Sequence, residues 1–313
     1  MTTLTTVDTT LNQLGTIVDY QMNQCKDLYI SLGDISYKDI NTLNFGNTEK
    51  YVTDWSMSQI CQMNNIPYTY LKNCHKLNPQ LAEYNFKQWT NAFANKEVMV
   101  RLYKDEVVGI LSNKYTTFDN DRVMNLIDST DIANYTIVGH TISPERMTVR
   151  LRESEPFMQD LFCGVQIENS QVGKLPMTIK FLVYKQVCTN GLMVNKFHSN
   201  VLYKRHIGNF LVDIDNVKES LKGIKEYRNT VKSAITDSMN TDLLSFETKR
   251  ITDTLIHRHY ITEQEVKEGY IDLMFEKYGR TRWGIINILT ELSQKFTLDK
   301  RIEIETFAGN LVA

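Results

Sequence analysis

The chain has 313 residues and a mass of 36.4 kDa, with 42% hydrophobic and 23% charged residues, so it can bury a core in one large domain or two small ones. Its 35 Lys and Arg residues against 37 Asp and Glu residues give a net charge of -2, so overall basicity cannot support nucleic-acid binding. Five prolines and 14 glycines exclude collagen-like character, and no repeat of fixed period indicates a solenoid.

The beginning of the chain has neither the basic start nor the apolar stretch of a secretory signal. No run of about 18 apolar residues indicates a membrane-spanning helix. The five cysteines include no Cys-x-x-Cys pair, which fits reduced thiols better than disulfides or a zinc site. We therefore expect a cytoplasmic protein with no membrane partner, no metal and no cofactor.

Two N-terminal regions precede the predicted core. Residues 1–54 contain seven acids and three basic residues, and six of the first ten residues are threonine, which predicts an acidic, loosely ordered leader. Residues 55–96 show apolar residues at helical spacing, and Pro67 and Pro79 stand where helices begin. This pattern predicts a small helical unit.

The predicted core spans residues 97–240 and starts with a hairpin, because Val98–Leu102 and Val107–Leu111 flank a polar turn. Asp119 stands at the N-cap position of a short helix. Four further strand-like runs follow in the order Tyr135–His140, Met147–Arg152, Phe162–Asn169 and Met177–Cys188.

Helical spacing returns after Asp213, where apolar residues from Val217 to Met239 predict one long amphipathic helix. Residues 241–313 also show mainly helical spacing and form a predicted C-terminal helical region. The predicted fold class is α+β. It consists of a mostly antiparallel sheet packed by the long helix, with helical additions at both ends.

The most informative charge feature is a window without acids. No Asp or Glu occurs in the 44 residues from Asn169 to Val212, although 37 acids in 313 residues predict about five. Basic and aromatic residues are interleaved there, which suits single-stranded nucleic acid because cations neutralise phosphates and rings stack on bases. An ordinary strand and loop is the structural alternative. The six basic residues are Lys174, Lys180, Lys185, Lys196, Lys204 and Arg205.

A second basic feature is the strand that contains Arg146, Arg150 and Arg152. Residues at alternate positions project from the same side of a strand, so these arginines share one face of the predicted sheet. A guanidinium group binds phosphate well, although a solvated face paired with local glutamates explains the pattern equally well. Lys222 belongs to a similar basic stripe on the long helix, where lysine stems also commonly cover apolar surface.

Catalytic patterns are weak. Asp119 and Asp121 resemble a carboxylate pair for Mg²⁺, but the helix N-terminus explains both without a metal. The chain has neither a P-loop nor a Gly-x-Gly-x-x-Gly turn. The sequence therefore predicts a protein that is not an enzyme.

Three short strings carry a family resemblance, namely Glu168–Gly173, Val187–Leu192 and Arg205–Gly208. Their content and order are similar to those of a phage/plasmid-like family of unknown function, as is the earlier stretch Gly109–Tyr115 with Asp119-Asn120. The resemblance covers about Val98 to Ile235 and implies a mobile-element origin without implying a reaction.

The order of elements is also similar to that of phage single-strand annealing proteins of the Redβ/RecT type. This resemblance implies an ATP-independent homo-oligomeric ring or filament that holds single-stranded DNA in a basic groove. The low isoelectric point and the helical unit before Phe93 depart from that pattern.

The turns in these strings have structural reasons of their own, because asparagine and glycine favour tight turns between strands. They would also place nearby cations at one rim, where phosphate could bind. The turn residues are Asn169, Gly173, Asn190, Gly191 and Gly208.

Single-stranded DNA binding and strand annealing is the leading functional hypothesis. The alternatives are a protein-binding module that inhibits host machinery, with its basic region docked on an acidic partner, and a metal-dependent nuclease. The DNA hypothesis loses its main support if Arg150, Lys180, Lys204 and the Lys222 face do not line a common groove. The predicted contacts are Arg146, Arg150, Arg152, Lys174, Lys180, Lys185, Lys204, Arg205 and Lys222.

Overall fold

The computed structural model describes residues 9–185, 188–192, 200–208 and 214–312, with the side chains at 185, 188–192 and 200–201 outside that description. Helices and antiparallel sheets are mixed along the chain, which confirms the predicted α+β class. None of the helices in the described ranges is long and apolar enough to cross a membrane.

The elements are numbered in chain order. The helices are α1 Leu11–Asn23, α2 Asp54–Met63, α3 Tyr68–Leu77, α4 Pro79–Asn91, α5 Asn120–Asp128, α6 Ile214–Lys222, α7 Ile224–Asn240, α8 Ser245–His257, α9 Glu263–Lys267, α10 Tyr270–Tyr278, α11 Arg282–Ser293 and α12 Leu298–Gly309. The strands are β1 Cys25–Ser31, β2 Ile35–Asp39, β3 Thr42–Phe45, β4 Thr48–Tyr51, β5 Glu97–Tyr103, β6 Glu106–Ser112, β7 Thr136–Ile142, β8 Met147–Arg152, β9 Leu161–Asn169, β10 Met177–Lys185, β11 Cys188–Leu192 and β12 Asn200–Lys204.

The prediction of a loosely ordered leader was wrong from Leu11 onward. Thr10 and Gln13 form a capping box that starts α1, and Leu14 and Val18 of this helix are fully buried. Strand β1 pairs in antiparallel fashion with β5, which lies about 70 residues further along the chain. The polar composition of residues 1–54 did not predict this ordered structure, because the segments on which these residues pack are distant in sequence.

The described N-terminal half contains two small sheets with a core of their own and four α-helices, of which α1 packs on the main sheet instead. Strands β1, β5 and β6 form one sheet, and β2, β3 and β4 form the other, with α2, α3 and α4 packed against them. The predicted hairpin is confirmed as β5 and β6, and Lys104 in its turn has a positive φ of 56°. This half has its own buried core, from Leu32 to Ile110.

The main sheet has the order β11-β10-β9-β8-β7, and β12 also pairs with β10. Strand β12 lies beside Met177–Lys180, whereas β11 pairs with the other half of β10. One face of this sheet is apolar and packs on α1, α5 and α7, as the contact between Phe181 and Tyr227 illustrates. The four predicted strand runs are therefore present as β7 to β10. The last was predicted to reach Cys188, but β10 is described to Lys185, residues 186–187 lie outside the described part, and Cys188 begins β11.

The prediction of one continuous long helix was wrong at Gly223. Helix α6 ends at Lys222 and α7 starts at Ile224, while Gly223 keeps a nearly helical backbone with φ of -61° and ψ of -10°. Glycine costs about 1 kcal/mol relative to alanine inside a helix, which makes this position a natural interruption. Val217 and Val231 are buried on the two sides of the break, so the apolar stripe continues across it.

Candidate nucleic-acid interface

The turn after β9 lies where the main sheet meets the N-terminal half of the protein. The side-chain amide of Asn169 donates to the Phe118 carbonyl at 2.9 Å and to Asn120 Oδ1 at 3.1 Å. Gln171 Oε1 accepts a hydrogen bond of 2.6 Å from Gln21 Nε2. Because buried amides need such partners, this turn is held in one conformation.

Helix α2 supports the same turn from the other side. Trp55 Nε1 and Gln59 Nε2 both donate to the Val172 carbonyl, at 3.0 and 2.8 Å. Gly173 follows with φ of +71°, and a Cβ there would lie 3.3 Å from the Tyr115 ring. Glycine is needed for both its backbone conformation and the close approach of the ring.

The Arg205–Gly208 segment packs on the segment after β6. Thr116 N donates to the His206 carbonyl at 3.1 Å, and Gly208 N donates to the Lys114 carbonyl at 3.1 Å. The His206 ring stacks on Tyr115 with centroids 5.4 Å apart. Two of the family-like strings, Glu168–Gly173 and Arg205–Gly208, therefore meet the stretch Gly109–Tyr115 at this place.

A cleft of about 540 Å³ opens between these segments. Three cations line it, namely Lys114, Lys174 and Arg205, and none of the described residues that line it is Asp or Glu. The remaining lining residues are Gln59, Gln62, Met63, Ile110, Leu111, Ser112, Tyr115, Gly173, Leu175, Pro176, Tyr203, His206 and Ile207.

The cations at the cleft differ in availability. Lys114, Lys204 and Arg205 are exposed, and within the described chain no carboxylate lies within salt-bridge distance of any of them. Arg205 Nε lies 3.4 Å from the hydroxyl of Tyr203, whose side chain is 52% exposed. Lys174, in contrast, forms a 2.5 Å ion pair with Glu145. Among the described residues, the exposed cations without a carboxylate partner are therefore Lys114 and Arg205 of the lining and Lys204 next to Arg205.

His206 contributes shape to the cleft. The residue is 3% exposed, and burial lowers its pKa to about 4. The ring is therefore neutral at pH 7 and adds no positive charge to the cleft.

The predicted phosphate contact at Arg150 was wrong. Its side chain is fully buried, and it donates to Glu305 Oε1 and Oε2 of α12 at 3.2 and 2.7 Å and to Gln166 Oε1 at 2.7 Å. Burial alone would lower the pKa of Arg150, but the charge of Glu305 raises it above its usual value. Helix α12 covers this polar face of the sheet, so the arginine cannot meet a ligand there.

Arg146 and Lys180 share a carboxylate on the same face. Glu168 Oε1 lies 2.8 Å from Arg146 Nη2, and Glu168 Oε2 lies 3.2 Å from Lys180 Nζ. Burial would raise the pKa of Glu168, but Lys180 and Arg146 lower it below its usual value. Asp299 forms a second ion pair with Arg146. These two cations are therefore largely neutralised within the fold.

The other predicted contacts do not join the cleft. The Arg152 guanidinium lies 4.0 Å from the centroid of the Phe162 ring, and the exposed Lys222 forms a 2.7 Å ion pair with Glu219. The side chains of Lys185 and Asn190 lie outside the described part of the chain. The predicted turn at Asn190-Gly191 was wrong, because both residues belong to strand β11, which pairs with β10. The common groove of Arg150, Lys180, Lys204 and Lys222 does not form, which removes the main sequence-based support for the DNA hypothesis. Among the predicted contacts whose side chains are described, only Lys174 and Arg205 line the cleft.

Asp119 is part of a buried ion cluster. Arg101, which is 2% exposed, donates to both oxygens of Asp119, to both oxygens of Asp27 and to the Gln171 carbonyl. Burial raises the pKa of Asp119, and Arg101 opposes that shift. The carboxylate also makes no N-cap hydrogen bond. Among the described residues no group of three His, Cys, Asp or Glu side chains is placed to hold a metal ion.

The sequence analysis did not identify Lys114, Tyr115 or Gln59 as part of a site. Lys114 and Tyr115 lie in the family-like stretch Gly109–Tyr115, but that stretch precedes the acid-free window. Gln59 lies on α2, in a region where the helical spacing of the apolar residues indicated only packing. The family-like strings together were a better guide to the cleft than the charge window.

A family described as a domain of unknown function, DUF932, matches residues 107–308. The chain belongs to this family. The DUF932 match begins at β6 and contains both cleft-forming strings and α12, whereas α2, which supplies one wall of the cleft, precedes it. No curated protein and no solved structure matches the chain.

Proposed function

We propose that this protein binds single-stranded DNA in the cleft, without ATP, during recombination of a phage or plasmid in a bacterial cytoplasm. The observation that carries the proposal is the lining of the cleft, which has three cations and, among the described residues, no carboxylate. A phosphate bound there displaces counterions at Lys114 and Arg205, whereas the charge of Lys174 is shared with Glu145 outside the lining. The net charge of -2 is compatible with this because the cations are locally concentrated.

The arrangement favours a single strand over a duplex. Tyr203 is half exposed beside Arg205, so its ring is open to stack on an unpaired base while the guanidinium group contacts the adjacent phosphate. Bases in a duplex are already stacked and paired, so they cannot use the ring in this way. A volume of about 540 Å³ suits a short stretch of strand.

The experiment is a salt titration of oligothymidylate binding by the full chain, with the double variant Lys204→Ala plus Arg205→Ala. Each lost phosphate contact lowers the slope of log affinity against log salt by about 0.7 for single strands, so the double variant should lose about 0.7 through Arg205, the one of the two residues that lines the cleft. The matched control is Lys249→Ala plus Arg250→Ala. It removes the same two residue types from an exposed site on α8, away from the cleft.

Absence of binding, or equal losses in the two double variants, would overturn the proposal. A host protein that is still captured after nuclease treatment, and is lost in the Lys204-Arg205 variant, would favour the protein-binding alternative instead. Strand annealing and assembly into a ring or filament stay predictions that depend on the resemblance in element order to phage annealing proteins.

A further inference from the structure

We propose that the binding path continues from the cleft into a second cavity that holds only the sugar-phosphate backbone of the strand. This inference rests on the proposed function. The second cavity has a volume of about 780 Å³ and adjoins the cleft, because both are lined by Met63, Ser112 and Lys114. Its other lining residues are Ser31, Leu32, Asn95, Lys96, Glu97, Val98 and Asn113.

The rim of the second cavity is held by backbone contacts. Leu32 N donates to the Lys96 carbonyl at 2.8 Å, and Gly33 N donates to the Ala94 carbonyl at 3.0 Å. A Cβ at Gly33 would lie 2.9 Å from the Ala94 Cβ, so glycine allows the two segments to approach this closely. Lys96 is therefore anchored at the rim by its own main chain.

The chemistry of this cavity suits phosphodiesters. Lys96 and Lys114 are exposed, and in the described chain neither has a carboxylate within salt-bridge distance. Lys96 Nζ lies 3.9 Å from the centroid of the Phe93 ring, which orients it without neutralising it. Asn95, Asn113 and Ser31 add neutral hydrogen-bonding groups, whereas Glu97 is the one acid among the described lining residues.

No aromatic ring is among the described residues that line the second cavity, in contrast to the cleft with Tyr115 and Tyr203. Bases in this segment have no stacking partner, and the contacts that remain act on phosphate and sugar without reading sequence. Lys114, at the junction, serves both segments. A strand that crosses Lys114 is thus held by base and backbone in the cleft and by backbone alone beyond it.

The test compares oligothymidylates of about 4 and about 20 nucleotides, a range that brackets known single-strand site sizes, by fluorescence anisotropy with the full chain. Lys96→Ala should weaken binding of the long oligonucleotide about fivefold and lower its salt slope by about 0.7, and leave the short one unchanged. Lys114→Ala should weaken both lengths. Lys87→Ala, an exposed lysine on α4 that lines neither cavity, is the matched control.

The outcomes separate the two proposals. If the Lys204-Arg205 variant weakens both lengths while Lys96→Ala weakens neither, the second segment is overturned and the cleft stands. An equal loss for both lengths in Lys96→Ala also overturns it, because Lys96 then acts through long-range attraction. If the unmodified protein binds neither length, the proposed function fails and this inference fails with it.

Discussion

The polar face of the main sheet and the rim of the cleft contain the same residue types in opposite electrostatic settings. On the sheet, Arg146 and Arg150 each meet a carboxylate from a distant part of the chain. At the rim, Lys114 and Arg205 are exposed and have no carboxylate within salt-bridge distance among the described residues. The number of cations in a segment therefore does not determine how many can bind a ligand, because acids from elsewhere in the fold neutralise some of them.

The largest effect is expected at the buried pair. Arg150→Met should lower the free energy of unfolding by about 3 kcal/mol, the low end for a broken buried pair, because the fully buried Glu305 keeps only Arg301 as an ion-pair partner among the described residues. Urea denaturation measures this loss. Adding Glu305→Leu should recover much of it, since apolar packing then replaces the ion pair.

DNA affinity per folded molecule should be unchanged in the Arg150→Met plus Glu305→Leu protein. A loss of affinity comparable with that of the Lys204-Arg205 variant would contradict the assignment of Arg150 to the interior. The polar face of the main sheet and the rim of the cleft would then no longer differ in whether their cations can bind DNA.

An intermediate effect is expected from the protonation of His206. Its folded pKa of about 4 lies below the usual 6.5, so the unfolded chain binds a proton between these pH values that the folded chain does not. The contribution of the neutral ring to the stability of the fold is therefore fully present above pH 6.5 and is lost as the pH falls toward 4. The His206→Gln variant has no imidazole to protonate and should not show this loss. The free energy of unfolding of the natural protein, measured relative to that of the variant, should therefore fall by at most about 3 kcal/mol from pH 7 to pH 4.

Urea denaturation of both proteins at the two pH values measures this difference. A stability difference that stays constant with pH would show that His206 is not desolvated in the folded protein. Its place as an uncharged part of the cleft wall would then be wrong.

The smallest effect is expected at Lys222. Its ion pair with Glu219 lies on the surface, where water and salt screen the charges. Lys222→Ala should leave both the midpoint of urea denaturation and the affinity for oligothymidylate unchanged. A reduced affinity would bring α6 back into the binding site.

Much of the fold could be predicted from local pattern. The hairpin of β5 and β6 followed from alternating residues around a polar turn, and α5 began directly after Asp119 as expected. The sequence analysis missed the helix break at Gly223 and the ordered structure of the leader from Leu11 onward. The leader depends on β1 pairing with β5, and no local pattern specifies a partner so far away.

The candidate site could be predicted only in part. Lys174 and Arg205 belonged to the acid-free window, and Gly173 belonged to a turn that required glycine. Lys114 and the α2 wall were missed because they enter the cleft through contacts between segments more than 50 residues apart, such as that of Gln59 with Val172.

The sequence by itself determined which arginines share a face of β8, because side chains alternate along any strand. It also determined the turn at Gly173, whereas Asn190-Gly191, which the sequence predicted as a turn, lies within strand β11. Only the tertiary structure decided that α12 covers the arginine face and that the rim of the cleft stays open. Periodicity specifies the direction of a side chain relative to its own strand, whereas burial and charge pairing depend on whichever distant segment packs there.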